Sequence, residues 1–193
     1  MIVGVSDSAD VQMGVCVLTF GSARLAYLKL SGPQSQKGSS ERMKQLWEVA
    51  DFVRNLHRSL RFGELSRAPL KFLRLELRGD EAECEWIARP ADPWDADLPP
   101  SVGDRNASLQ ALEDSLAVRD LLFSTMPCVS SAVFRVYRQV EGEHADLIIT
   151  GTVTREDHAG ANVCSLAMRA KLCGLRFWLA DGVLGRFQSK ECS

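Results

Sequence analysis

The densest set of side chains able to do chemistry is a carboxylate group, Asp92, Asp95 and Asp97, set in Asp-Pro-Trp-Asp-Ala-Asp. Several carboxylate oxygens on one loop suit a hard cation such as Ca²⁺. The spacing lacks the central glycine and the downstream bidentate glutamate of a calcium-binding helix–loop–helix. A polar loop is expected instead, stiffened by Pro93. Trp94 either pins that loop to the fold or anchors a partner, tryptophan being enriched at interface hot spots.

Asp157, His158 and Cys164 offer the residue types of a thiol–imidazole nucleophile pair. Spacing alone does not bring them together, so the preferred reading is Asp157 capping a helix, with His158 on the surface. Asp7 and Asp10 follow the apolar Ile2-Val3-Gly4-Val5, but no later acidic strand end completes a metal set, and a turn is expected there. No cysteine belongs to a C-x-x-C pair or has histidine at zinc spacing. Gly-x-Gly-x-x-Gly and Walker patterns are both absent. The sequence therefore assigns no catalytic residue, no metal ligand and no cofactor.

Cations gather late in the chain, at Arg135, Arg138, Arg155, Arg169, Lys171, Arg176 and Arg186. Arg169, Lys171 and Arg176 are expected to form a patch near a helix C-terminus, where positive charge complements the dipole. Such a patch suits an anionic lipid surface. Glu141, Glu143, Asp146 and Glu156 balance the wider region.

The elements that must position these groups follow from composition and periodicity. The chain has 193 residues, 46% hydrophobic and 25% charged, with net charge −2. That is long enough for a sizeable core, and it is not the composition of a disordered chain. The balance is not that of a basic, duplex-binding protein either, and nucleic acid is not an expected partner. No run of about 18 apolar residues suggests a membrane span. Met1 to Ser8 lacks the basic and apolar regions of a secretory leader, so a reducing, cytoplasmic setting is expected. The six cysteines (Cys16, Cys84, Cys128, Cys164, Cys173 and Cys192) then read mostly as small buried hydrophobes. Cys192 is the expected exposed thiol.

Met13–Phe20 and Arg24–Leu30 read as a hairpin around Gly21-Ser22, and residues 31–40 as an exposed loop. Ser39 or Ser40 should cap a helix of about 20 residues with Met43, Leu46, Val49, Ala50, Val53, Leu56 and Leu60 on one face. Leu70–Leu77 and Glu81–Ala88 alternate apolar and charged residues around Gly79-Asp80. This is a hairpin with Leu73, Leu75 and Leu77 inside and arginines facing glutamates outside. Residues 89–105 read as an irregular, proline-broken loop. Asn106 or Ser108 should cap a second helix carrying Leu109, Leu112, Leu116, Leu121 and Leu122. A hairpin over Ala132–Val140 and Ala145–Val153 follows, then a helix capped by Asp157 and closed by Gly174. Last come a strand over Leu175–Ala180, an Asp181-Gly182 turn and a short return. The order ββ-α-ββ-α-ββ-α-β(β) implies an α+β fold, an antiparallel sheet with helices on one face. It divides into residues 1–105 and 106–193, packed as one unit.

Leu147-Ile148-Ile149-Thr150-Gly151-Thr152-Val153, then a helix, then Gly174-Leu175 entering a strand, resembles the BON domain over residues 109–184. The resemblance implies an α-β-β-α-β unit that binds phospholipid surfaces or protein partners without catalysis. The sequence thus points to a non-enzymatic adaptor that docks a protein partner or self-associates, with Asp92, Trp94, Asp95, Asp97, Arg169, Lys171 and Arg176 as contact residues. The alternatives are peripheral binding to anionic lipid and an enzyme with its site in the 90–105 loop.

Overall fold

A computed structural model describes residues 19–20, 23–24, 28–31, 38–59, 70–90, 95, 97–140, 144–157 and 163–187. The chain runs β1 (Thr19–Phe20), β2 (Ala23–Arg24), β3 (Leu28–Ser31), α1 (Gly38–Ser59), β4 (Lys71–Arg78), β5 (Glu81–Ile87), α2 (Pro100–Thr125), β6 (Ser131–Gln139), β7 (Ala145–Thr154), α3 (Leu166–Leu172), β8 (Leu175–Arg176), β9 (Leu179–Ala180) and β10 (Val183–Leu184). Strands β3 to β8 form one six-stranded sheet in sequence order, and β1–β2 and β9–β10 are separate two-stranded hairpins. The α+β class read from the sequence is observed.

The sheet is mixed rather than wholly antiparallel. β3–β4 and β5–β6 are parallel pairs, and the remaining neighbours are antiparallel. A helix that joins two adjacent strands carries the chain back to its starting end, so the next strand enters parallel. α1 and α2 both do this. The N-terminal hairpin is short, and the run after it enters the main sheet as β3. Residues 13–18 of its expected first strand lie outside the described residues. A single hydrophobic cluster reaches from Val49 on α1 to Leu184 on β10, and the division at residue 105 falls inside α2.

The buried residues of α1, Val49, Phe52, Val53 and Leu56, recur at three and four positions. Ser39 and Ser40 lie inside the first turn of α1, which begins at Gly38, and Met43 is exposed. Phe52 meets the edge of Phe72, Phe72 stacks on Trp86, and Trp86 meets Phe134 edge-on at 5.1 Å between centroids. This aromatic row crosses β4, β5 and β6 and ties them to the helical layer. Phe72 takes the inner position expected of Leu73, because the β4–β5 register shifts between Phe72 and Arg74 and leaves Leu73 in a bulge.

α2 begins six residues before Asn106 and eight before Ser108, the expected caps. Pro99 is its N-cap and Pro100 stands in its first turn, where a missing N–H costs no helical bond. Leu109 is exposed, whereas Leu112, Leu116 and Leu122 are buried. The inner face also holds Ser108, Asp114, Ser115 and Arg119, each with a partner. Ser108 and Ser115 bond back to the carbonyls of Asp104 and Ala111, both at 2.7 Å. Asp114, with its side chain 1% exposed, receives a two-pronged bond from the 2%-exposed Arg89 just beyond β5. Gln110 donates to the same carboxylate at 2.9 Å.

Two further arginines tie α2 to the end of β7. Arg155 donates to the carbonyls of Phe123, Met126 and Val129, closing a helix C-terminus that has no basic residue in its own last turn. Arg119 reaches the other way, to the carbonyls of Thr154 and Asp157. Both guanidinium groups lie over the Phe123 ring. Asp157 does not cap α3. Its carboxylate accepts from the Thr154 amide, and Ser165 caps the helix through the Met168 amide. β9 and β10 join through Asp181 and Gly182, both at positive φ as a tight two-residue hairpin turn requires.

Replacing Arg89 with Met would strand the Asp114 carboxylate in the core. Urea unfolding should show a loss of about 3–5 kcal/mol, and Arg89→Met combined with Asp114→Leu should recover much of it.

Candidate functional site

The helices, packed into the one hydrophobic cluster, cover a single face of the sheet. No described helix covers the other, although β2 lies against β4 near one edge. Cross-strand register lays out the uncovered face in rows. Arg78, Glu81, Ser131 and Thr154 form one row, and Glu76, Glu83, Val133 and Thr152 the next. Arg74, Glu85, Arg135, Thr150 and Arg176 follow, and Lys71, Ile87, Tyr137 and Leu147 make a row beyond them.

The alternation of arginine and glutamate expected on β4 and β5 is present, but the pairs are not simply opposite charges facing each other. Glu76 stands directly opposite Glu83, a repulsive placement. Three guanidinium groups overcome it. Arg74 and Arg78 both bond Glu76, whose side chain is 0% exposed. Arg135, arriving from β6, bonds both Glu83 and Glu85, the latter at 2.8 Å. Arg74 and Arg78 also approach Glu83 at 3.6 and 3.7 Å. The hydrogen bond from Arg135 holds the Glu83 carboxyl below the usual glutamate range. Hydrogen bonds to Glu76 push Arg74 and Arg78 further up, and the bond to Glu83 does the same for Arg135. Burial, and then the Glu85 charge, raises the Tyr137 phenol.

Beside this lattice the face is concave. One hollow of about 300 Å³ is lined by Arg78, Glu81, Glu83, Ser131, Arg135 and others. A second, of about 430 Å³, lies where β7 meets β8 and is lined by Thr150, Lys171, Leu175, Arg176 and the glycines 151 and 174. Val133 and Thr152 line both, so the two hollows adjoin. The glycines are essential to the shape of the larger one. A Cβ on Gly151 would sit 2.2 Å from the Gly174 carbonyl oxygen, and one on Gly174 would sit 2.1 Å from that of Thr152. Gly174 also takes φ +88° at the end of α3.

The expected contact residues separate. Asp92 and Trp94 lie outside the described residues. Asp95 accepts a bond from Asn106 at 3.0 Å and its carbonyl accepts from the Leu98 amide, so it fastens the entry of α2. Asp97 is exposed beside it. Among the described residues no group of three or more His, Cys, Asp or Glu could hold a metal ion. His158 is outside them, and Cys164 is exposed ahead of α3. Cys84 and Cys173 are buried and Cys128 is exposed; burial pushes the Cys84 thiol well up.

Of the cations, Arg135, Arg138 and Arg155 are engaged in internal bonds. Lys171 and Arg176 come together at the rim of the larger hollow, while Arg169 is exposed on α3 and does not line it. Sequence reasoning missed Thr150, Thr152 and Val133 as lining residues. Their alternation along β6 and β7 was the available signal, but only the β5–β6 pairing sets them beside the charged lattice. Met168, Leu172 and Trp178, at 53%, 50% and 63% exposure, stand among the cations of residues 169–176. No helix among the described residues is long and apolar enough to cross a membrane. The chain matches no family model, no curated protein and no solved structure.

Because the Glu83 carboxyl is depressed in the fold, its contribution is complete above the ordinary value of 4.5 and is lost as pH falls through the lower folded value. The urea midpoint of the native chain should therefore drop on acidification below about pH 4.5, and drop less in Glu83→Gln.

Proposed function

We propose that this chain is a non-enzymatic binding module that docks an acidic segment of a protein partner on the sheet face that no described helix covers. The observation that carries this reading is the pair of adjoining hollows over β5 to β8, bounded on one side by a nearly neutral ionic lattice and on the other by Lys171 and Arg176. The hollows are preformed, since the lattice and the glycine crossing fix their walls, and preformed surfaces lose less entropy on binding. Ile87, Tyr137 and Leu147, next to the exposed Lys71, give the same face a less charged end. Charge complementarity at the cationic rim favours an acidic partner and fixes its orientation.

The test is capture of the tagged chain's partner, followed by reconstitution from purified components. Val133→Glu with Thr152→Glu should weaken the reconstituted complex at least about tenfold, since a charge placed in a desolvated contact is costly. Met43→Ala with Trp47→Ala, on the outer face of α1, should leave it unchanged. The opposite pattern, or crosslinks confined to α1 and α2, would remove the sheet face as the docking surface.

A second reading, peripheral docking on an anionic lipid surface, is favoured by the exposed Met168, Leu172 and Trp178 among Arg169, Lys171 and Arg176. Apolar and aromatic side chains mixed with cations suit the headgroup boundary. The order α2-β6-β7-α3-β8 also agrees with the BON-like unit that the Gly151-Thr152-Val153 and Gly174-Leu175 motifs suggest. On this reading the chain co-sediments at low salt with vesicles containing phosphatidylserine but not with neutral ones, and Trp178→Ala with Leu172→Ala abolishes it. Equal recovery with both vesicle types would rule it out.

A further inference from the structure

We propose that the hollow where β7 meets β8 is a binding site for a single oxyanion, a carboxylate or a phosphate, held between Lys171 and Arg176. The proposal rests on the sheet face being the docking surface, and it names the group that the occupant must bring there.

The charge of the two hollows differs. In the smaller one the arginines are matched by carboxylates, Arg78 and Arg135 standing against Glu81 and Glu83. In the larger one both ionisable lining residues are cations, and the remaining polar side chains are the hydroxyls of Thr150 and Thr152. Neither Lys171 nor Arg176 forms an ion pair with another described residue, whereas Arg74, Arg78, Arg89 and Arg135 all do. The exposed Lys71 and Arg169 likewise form no ion pair with a described residue; what sets Lys171 and Arg176 apart is that they share one hollow whose lining holds no carboxylate.

Both side chains are exposed, on backbone fixed by α3 and by the β7–β8 pairing. Lys171 extends its ammonium over the Phe177 ring, 5.5 Å from the centroid, and Arg176 follows the buried Leu175, which is paired with Gly151. Arg176 stands across from Thr150 in the β7–β8 register, so a guanidinium fork and a hydroxyl donor share one row. A planar fork, an ammonium and hydroxyl donors together fit the geometry of a carboxylate or phosphate. The bare backbone at Gly151 and Gly174 leaves the floor open, because any side chain there would collide with the opposite strand. At about 430 Å³ the hollow holds more than one small anion, so the oxyanion has room to be carried on a larger group lying against Val133 and Leu175.

The test uses the full ¹⁵N-labelled chain titrated at low ionic strength with inorganic phosphate and, separately, with N-acetylglutamate. Amide shifts of Gly151, Thr152, Gly174 and Arg176 should saturate with at least one of these probes. Saturation with phosphate alone assigns a phosphoryl source, and saturation with N-acetylglutamate assigns a carboxylate. Lys171→Gln with Arg176→Gln should weaken binding at least about tenfold, and Thr150→Val about threefold, each with an unchanged melting temperature. Shifts that stay linear for both probes, or that saturate equally well in the double variant, would overturn the site. If a partner still docks on the sheet face in that case, the oxyanion site alone is lost. Saturable anion binding with a partner crosslinked only to α1 and α2 would instead leave the site standing and remove the docking reading.

Discussion

Holding α2 against the sheet is the constraint on which the other elements depend, because α2 connects two parallel neighbours and its inner face is not purely apolar. Asp114, Arg119 and two serines share that face with Leu112, Val118 and Leu122. Burying such groups without partners would cost several kcal/mol each. Nearly all are answered: Asp114 by Arg89 and Gln110, the serines by their own helix, and Arg119 by the carbonyls of Thr154 at the end of β7 and of Asp157 beyond it, although its Nε has no partner among the described residues. An apolar stripe alone would let a helix slide or rotate over a sheet. The directional Arg89 fork and the paired Arg119 and Arg155 contacts favour one placement, and they join α2 to β5 at one point and to the end of β7 at another.

With the helical layer fixed on one side, the other side of the sheet, which no described helix covers, is held by electrostatics across strands. The Glu76–Glu83 opposition is met within the hairpin by Arg74 and Arg78, and Arg135, arriving from the parallel neighbour β6, completes it by bonding Glu83 and Glu85. The lattice is therefore a tertiary feature. Its charges nearly cancel, which is why the cationic rim at Lys171 and Arg176 dominates the character of the adjoining hollow.

Local patterns carried much of this in the sequence. The Gly79-Asp80 and Asp181-Gly182 turns, the hairpins and the apolar face of α1 all depend on neighbours in the chain. The parallel pairings were not legible, since alternation on β5 and β6 looks the same whichever partner each strand takes. The early start of α2 was hidden because Pro99 and Pro100 read as breakers, although a first helical turn tolerates proline. The caps were hidden for a different reason. Arg155 closes a helix whose last residue lies 30 positions earlier, and no local signal announces a cap supplied from that distance. Gly151 and Gly174 were conspicuous only as a motif, and their mutual approach supplies its physical basis.

The brevity of β8 has a consequence for behaviour at high concentration. A sheet edge with free amides and carbonyls invites another chain to add a strand, and this is a common route to aggregation. Here β7 is ten residues long but pairs outward over only two, Thr150 and Gly151. Its two ends are occupied by other means: the Leu147 carbonyl takes the Phe187 amide, and Thr154 is bonded through both its amide and its carbonyl. An incoming strand would find only a short template, interrupted at Gly174, where the backbone turns to φ +88°. The same glycine crossing that hollows the face thus blunts the edge against fibrillar growth.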